Sequence, residues 1–314
     1  MPLLPHLWTA IPRLRHSFRP IPAPPSRPWE GWVEDPQAGR VRLNGWFRQE
    51  PGGDEALLLV HGLGGSVDSH YMLQAARAAQ TAGLPCLRLN LRGSDRQGED
   101  YYHAGLTADV HAALAAPELA PYSRLYLLGY SLGGHVALSV AAEEGDPRLM
   151  AAAAVCSPVD LALSVLSIDA PSGWPYRRYV LHSLNQIYAG VAARRPVPYP
   201  VEKALRIPTI REWDDRIVAP RHGFLDAADY YARASVVQRL NRLRIPALLL
   251  NAEYDPMVSA ATVRLGVSSP RLTVRFLREG GHVAFPAWID TGLAPGEGLE
   301  AQLFAWLRAA AARN

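Results

Sequence analysis

Apolar and polar positions along this chain fall into one recurring theme. Short apolar runs (ALLLV, LPCLRLNL, RLYLLGY, MAAAAVCS, IPALLLNA and LTVRFL) are separated by polar loops and by stretches of helical period. The helical candidates are HYMLQAARAAQTAG, LTADVHAALAA, LGGHVALSVAAEEG and the closing LEAQLFAWLRAAAARN. Uninterrupted apolar runs alternating with such helices predict an α/β fold, a mostly parallel sheet covered by helices on both faces. In such sheets ligand chemistry lies at the carboxyl ends of the strands.

Two regions depart from the theme. Residues 1–38 are rich in proline and carry no long periodic pattern, which predicts an N-terminal arm lying over a surface. From Gly39, GRVRLNGWFRQ alternates and then meets PGGDE, a strand followed by a turn. The alternation of strand and helix stops again over residues 161–239, where aromatics and prolines gather. That length is too great for a structureless loop inside a domain. The predicted organisation is therefore an arm at 1–38, a core at 39–160 and 240–314, and a helical cap insertion at 161–239.

Composition narrows the function classes. At 314 residues, with 49% hydrophobic and 19% charged positions, the chain suits one elaborated globular domain. Its formal charge of +3 and the absence of a basic run give no electrostatic footprint for nucleic acid. Cys86 and Cys156 sit inside apolar runs and are expected as buried free thiols, with no metal spacing and no disulfide framework. No cofactor motif is present. No window approaches the roughly 18 uninterrupted apolar residues of a membrane span. The start, MPLLPHLWTAIPRLRHSFRP, lacks the charged start, apolar centre and cleavage site of a signal peptide, so a cytoplasmic location is the default. The same segment is mildly amphipathic, which is compatible with peripheral membrane contact, although an arm packed on the domain is the reading preferred here.

The sharpest chemical signal is Gly129-Tyr130-Ser131-Leu132-Gly133, directly after the run RLYLLGY and directly before LGGHVALSV. Strand, G-x-S-x-G, helix is the context of a nucleophile elbow, a sharp turn whose glycines leave room for a strained serine. A serine hydroxyl needs an oriented base. His282, in REGGHVAF just past LTVRFL, lies in a loop at the carboxyl edge of the predicted sheet. His135 follows Ser131 by only four positions and points away, and His61 opens the HGLGG loop as a backbone support. The acid should fall between nucleophile and base in chain order. Asp255 in LLLNAEYDP fits, with Asp160 after MAAAAVCSPV as its rival and Glu253 as a weaker one. The oxyanion of a tetrahedral intermediate needs two N–H donors, expected from the amides of Leu63 and Leu132.

Together these segments resemble the YheT-like branch of the α/β-hydrolases. HLWTAIPRLRH is similar to that family's "HLQT" arm, with Trp8 in place of the usual glutamine. HGLGGSVDSHYMLQAARAAQTAG is similar to its oxyanion-loop segment, and LRLNLRGSDRQ to its "N-x-RG" stretch. WDDRIVAPRHGFLDAADYYARAS matches the family's "D…GF…YY…S" signature, and ALLLNAEY leads into Asp255-Pro256. The strand region before PGGDE is abbreviated. The resemblance spans nearly the whole chain and implies an α/β-hydrolase fold and carboxylesterase or lipid-acyl hydrolase activity, with acyltransferases among the relatives. On this reading, Trp174, Tyr176, Tyr179 and Trp213 of the cap wall an apolar pocket for short- to medium-chain acyl or lipid-like esters. A non-catalytic binding protein on the same scaffold is the third reading. A carboxylate nucleophile, as dehalogenases and epoxide hydrolases need, is absent at position 131.

Overall fold

The computed structural model describes residues 3–265 and 269–313. Eight strands form one sheet: β1 (Arg27–Asp35), β2 (Gly39–Arg48), β3 (Glu55–Val60), β4 (Cys86–Asn90), β5 (Arg124–Tyr130), β6 (Leu149–Val155), β7 (Ala247–Ala252) and β8 (Leu272–Leu277). The helices used below are α1 (Leu3–Phe18), α2 (His70–Thr81), α3 (Ala108–Leu114), α4 (Leu132–Ala141), α5 (Leu161–Asp169), α6 (Trp174–Ala192), α7 (Ala227–Ala234) and α8 (Gly298–Ala311). The strand order is β1-β2-β4-β3-β5-β6-β7-β8. β4 through β8 run parallel with β3 among them, while β1 and β2 form an antiparallel edge.

The burial of each strand explains its sequence. β4 and β7 are buried at every position, as expected where helices cover both faces. β2 buries alternate residues, as an outer strand does. Successive residues of one strand feed two cores. Leu58 and Val60, Leu87 and Leu89, and Leu127 point to the side of α3, α4 and the 161–239 segment. Leu57 and Leu59, Tyr126 and Leu128, and Val155 point to the side of α2 and α8.

Two features of the arm differ from the expectation of an irregular strap. Residues 3–18 form a helix despite Pro12 in its interior, and residues 27–35 form the outermost strand of the sheet. Pro28 is tolerated because β1 is an edge, where a missing N–H leaves no ladder bond unmade.

A buried ionic cluster ties the arm to the rest. Arg92, just past β4, donates to Asp35 at the end of β1, to Asp100, and to Asp109 on α3, at 2.6–2.9 Å. These carboxylates hold its guanidinium charged despite burial, and they outweigh the desolvation that opposes it. This gives the arginine of the "N-x-RG" stretch a structural task.

Between β6 and β7 lie α5, α6, short helical turns at 201–204, 210–213 and 219–222, a π-helical turn at Asp214–Val218, and α7. Several polar bonds fasten this segment to the core. Arg221 Nε donates to Asp100 at 2.7 Å, the Ala104 amide to the Tyr230 hydroxyl at 2.9 Å, and the Tyr101 hydroxyl to the Ile217 carbonyl at 3.0 Å. His135, fully buried on α4, lies between the carbonyls of Pro158 and Ala234, each 2.9 Å away.

Candidate active site

Ser131 sits in the turn between β5 and α4 with φ 52° and ψ −121°. A non-glycine residue there carries strain of about 1–3 kcal/mol, sustained only when its surroundings over-determine it. They do. The Ser131 amide donates to the Val155 carbonyl at 2.8 Å, and its own carbonyl accepts from Gly134 and His135. Both glycines of the motif answer to crowding. A Cβ on Gly129 would lie 2.1 Å from the Gly133 carbonyl oxygen, and one on Gly133 would lie 2.4 Å from the carbonyl oxygens of Val60 and His61. Of the four non-glycine residues with positive φ among those described, three (Ser131, Cys156 and Val283) surround this site.

The three residues named from the sequence meet. His282 Nε2 lies 2.9 Å from Ser131 Oγ, across 151 positions of chain. His282 Nδ1 lies 2.9 and 3.1 Å from the two Asp255 carboxylate oxygens. Asp255 only accepts, so Nδ1 carries the proton, and in the neutral ring Nε2 accepts from the serine hydroxyl. Asp255 Oδ1 also receives the amides of Met257 at 2.8 Å and Val258 at 3.0 Å, which fixes the carboxylate in the turn after β7. Asp160, the rival acid, instead caps α5, accepting from the Leu163 amide at 3.0 Å. Glu253 pairs with Arg264 at the surface.

Leu63 and Leu132 both line the cavity above Ser131. Leu132 opens α4, where the first amides of a helix have no intrahelical acceptor and favour negative charge. Leu63 is bracketed by two clamps. The Gly62 amide donates to the Tyr71 hydroxyl at 3.0 Å, and the Gly64 amide to the Tyr102 hydroxyl at 2.7 Å. His61 holds the loop from beneath. Its Nε2 accepts from the Leu91 amide, its Nδ1 faces the Gly62 carbonyl, and burial pushes its pKa down to about 4. It is a neutral support.

The cavity has a volume of about 590 Å³ and extends from α1 past Ser131 and beneath the 161–239 segment. Tyr176, Tyr179 and Trp213 line it. Trp174 does not. It opens α6 with half its surface in solvent, and two positions of helix turn it to the far side from Tyr176.

Other contributors were not read from the sequence. Thr9 Oγ1 accepts from the His282 amide at 2.8 Å, and a Cβ on Gly281 would lie 2.4 Å from the Pro5 carbonyl oxygen. The arm therefore helps to seat the His282 loop. The threonine of HLWT was the available signal. His70 also lines the cavity, its pKa lowered to about 4 by burial and by the nearby His16, Arg13 and His282. Asp214 lines the far wall and accepts from the Tyr231 hydroxyl at 2.7 Å, and burial raises its pKa to about 7.

Cys156, Asp255 and His282 offer ligand atoms close together. Asp255 and His282 are spent on each other, however, and burial beside the carboxylate keeps the Cys156 thiol protonated. The donor set does not suit a metal.

Comparison with known proteins fits this geometry. The α/β-hydrolase fold model matches residues 55–286, and the chain belongs to that family. Within it, the chain is 32% identical over 266 residues to YheT of Escherichia coli (strain K12), described as a candidate esterase. The match covers 80% of this chain and 76% of that one. It is 27% identical over 261 residues to medium-chain fatty acid ethyl ester synthase/esterase 2 of Saccharomyces cerevisiae, covering 73% of this chain and 57% of the yeast protein. Among solved structures, the α/β hydrolase GrgF from Penicillium sp. sh18 superposes with a TM-score of 0.59 at 20% identity, over 92% of this chain and 100% of that one. The chain is a hydrolase of ester bonds. Among the described residues, no helix is long and apolar enough to cross a membrane.

Proposed function

We propose that the protein is a serine carboxylic-ester hydrolase for short- to medium-chain acyl or lipid-like esters, working through an acyl-enzyme. Ser131 Oγ attacks the ester carbonyl as His282 Nε2 takes its proton. The amides of Leu63 and Leu132 receive the oxyanion. Collapse of the intermediate expels the alcohol, which leaves with the proton from His282, and water then repeats the sequence in reverse roles to release the acid. Asp255 keeps the imidazole in the productive tautomer and balances the imidazolium. On this reading residues 161–239 are a cap over a core of 39–160 and 240–314, and the cavity beneath the cap holds the acyl chain.

The observation that carries the proposal is the unbroken chain of contacts Ser131–His282–Asp255 at 2.9 Å per link, opening on a cavity of about 590 Å³. A fluorophosphonate probe should label the native protein and fail to label Ser131→Ala. p-Nitrophenyl esters of increasing chain length should be turned over up to a chain-length limit and then decline. Absence of labelling in the native protein would overturn the acyl-enzyme route through Ser131.

Acyl transfer to an alcohol is the second reading. It is favoured by the largely apolar cavity and by the yeast relative, whose name joins a synthase to an esterase. The same acyl-enzyme would partition between water and alcohol. Added ethanol should divert acyl groups to the ethyl ester if transfer is the main activity, and leave the acid as the main product if hydrolysis is.

A further inference from the structure

Helix α1 has two faces of opposite use. Its inner face carries Pro5, Trp8, Thr9, Pro12 and His16, which with His6 are the least exposed positions on the helix. Through them it rests on the His282 loop and on α2, with the His16 ring 6.5 Å from that of His70. Contacts to α6 come from His6, bonded to the Tyr176 hydroxyl at 2.6 Å, and from Arg13, over the Tyr179 ring. Its outer face carries Leu3, Leu4, Leu7, Ile11, Leu14 and Phe18. At 3.6 residues per turn these six fall within an arc of about 100° on the solvent side of the helix, with Leu14 at its edge also bordering the cavity. All six are exposed, Leu3 by 72% and Phe18 by 78%. Trp288, against Trp8 at 6.0 Å between rings, adds a 73% exposed indole beside the same helix.

A contiguous apolar stripe of this kind is not left in water by chance, and it marks an interaction surface. Charge indicates the occupant. No carboxylate occurs before Glu30, while Arg13, Arg15, Arg19 and Arg27 precede it. A second copy of the chain docked on this face would bring like charges together. An apolar stripe flanked by arginines is the pattern of a helix lying in the plane of an anionic membrane. Position adds a reason: the inner side of the same helix, through Thr9, Arg13 and His16, forms the near wall of the cavity.

We propose that α1 docks the protein on the surface of an anionic phospholipid bilayer, with the stripe Leu3–Phe18 in the headgroup–acyl boundary, so that the cavity opens at the lipid surface. The surface is separate from the ester chemistry proposed above and goes beyond it.

The test is flotation of the full-length protein with vesicles of about three parts phosphatidylcholine to one part phosphatidylglycerol, and with phosphatidylcholine alone. The wild type should float with the anionic vesicles, less with the neutral ones, and less in high salt. Leu7→Ser/Ile11→Ser/Phe18→Ser, none of whose positions lines the cavity, should lower the partition coefficient at least about tenfold. Arg15→Glu/Arg19→Glu should lower it on anionic vesicles alone. Both variants should melt as the wild type does and hydrolyse soluble p-nitrophenyl butyrate at its rate. The proposal is overturned if the wild type stays with the soluble fraction, or if the serine variant floats equally well. It is also overturned if the stripe proves to pair two copies, seen as a wild-type dimer that the serine variant dissolves without any vesicle binding. Failure to hydrolyse the soluble ester would count against the proposed function and leave the flotation result to be read independently.

Discussion

Replacing Asp255 by asparagine isolates the tautomer on which the proposed chemistry depends. Oδ1 of this side chain receives two backbone amides, from Met257 and Val258, at 2.8 and 3.0 Å. Turning the new amide so that its NH2 met them would leave those buried donors unpaired, at about 1–3 kcal/mol each. The carbonyl oxygen therefore stays on the turn and the NH2 faces His282 Nδ1. A donor at that point makes Nδ1 the acceptor and moves the ring proton to Nε2, opposite the Ser131 hydroxyl. The base is then occupied by its own proton. A loss of about 10⁴ in kcat is expected, the order observed when the same swap is made in a Ser-His-Asp site. KM and the melting temperature should change little, because shape and turn contacts survive. Steady-state turnover of p-nitrophenyl butyrate, with calorimetry as the control, measures both. Activity within tenfold of wild type would refute the reasoning, as would a larger loss in Asp160→Asn. The latter substitution should be nearly silent, since asparagine caps a helix as well as aspartate does.

Three further outcomes are expected. Gly133→Ala should cost about 3 kcal/mol or prevent folding, because its Cβ would meet backbone oxygens 2.4 Å away that have nowhere to go; thermal unfolding reads it, and near wild-type stability would contradict it. Arg92→Met should destabilise by about 3–5 kcal/mol, leaving Asp109 buried without its cation while Asp100 keeps only Arg221; denaturant unfolding decides. Asp214 has a folded pKa of about 7, raised by burial from 3.8, so its contribution favours the fold below about pH 4 and is lost progressively up to about pH 7. Asp214→Asn, which can still accept from Tyr231, should therefore gain stability over wild type as pH rises through that window, by up to about 4 kcal/mol at pH 8. A stability difference independent of pH would sink this.

The sheet was legible because β3 to β7 are buried on both faces, and uninterrupted apolar runs such as ALLLV have few other uses. Ser131 was legible from its glycines, whose absence of side chain the backbone enforces at Gly129 and Gly133. His282 and Asp255 followed from their places at strand ends, a matter of topology. The arm was harder to read. Pro5 and Pro12 conceal a helical repeat, and its apolar stripe faces outward where a core helix would turn it inward. Pro28, after a proline-rich run, concealed β1. Trp174 was misplaced because an aromatic was assigned to the pocket without its phase on α6. Thr9 acts on His282 across 273 positions of chain, a separation that no local pattern encodes.

The fastenings of the 161–239 segment have a consequence for molecular traffic. A roof bolted down through Arg221, Tyr230, Ile217 and His135, at well-separated points, does not swing as a hinged lid without breaking several buried bonds together. The threshold at α1 is held at less buried places, by Thr9 to His282, His6 to Tyr176 and His16 to the Asp68 carbonyl. On the proposed function, substrates and products are expected to exchange on that side, and weakening the grip of the N-terminal helix on the loop it overlies should quicken that exchange.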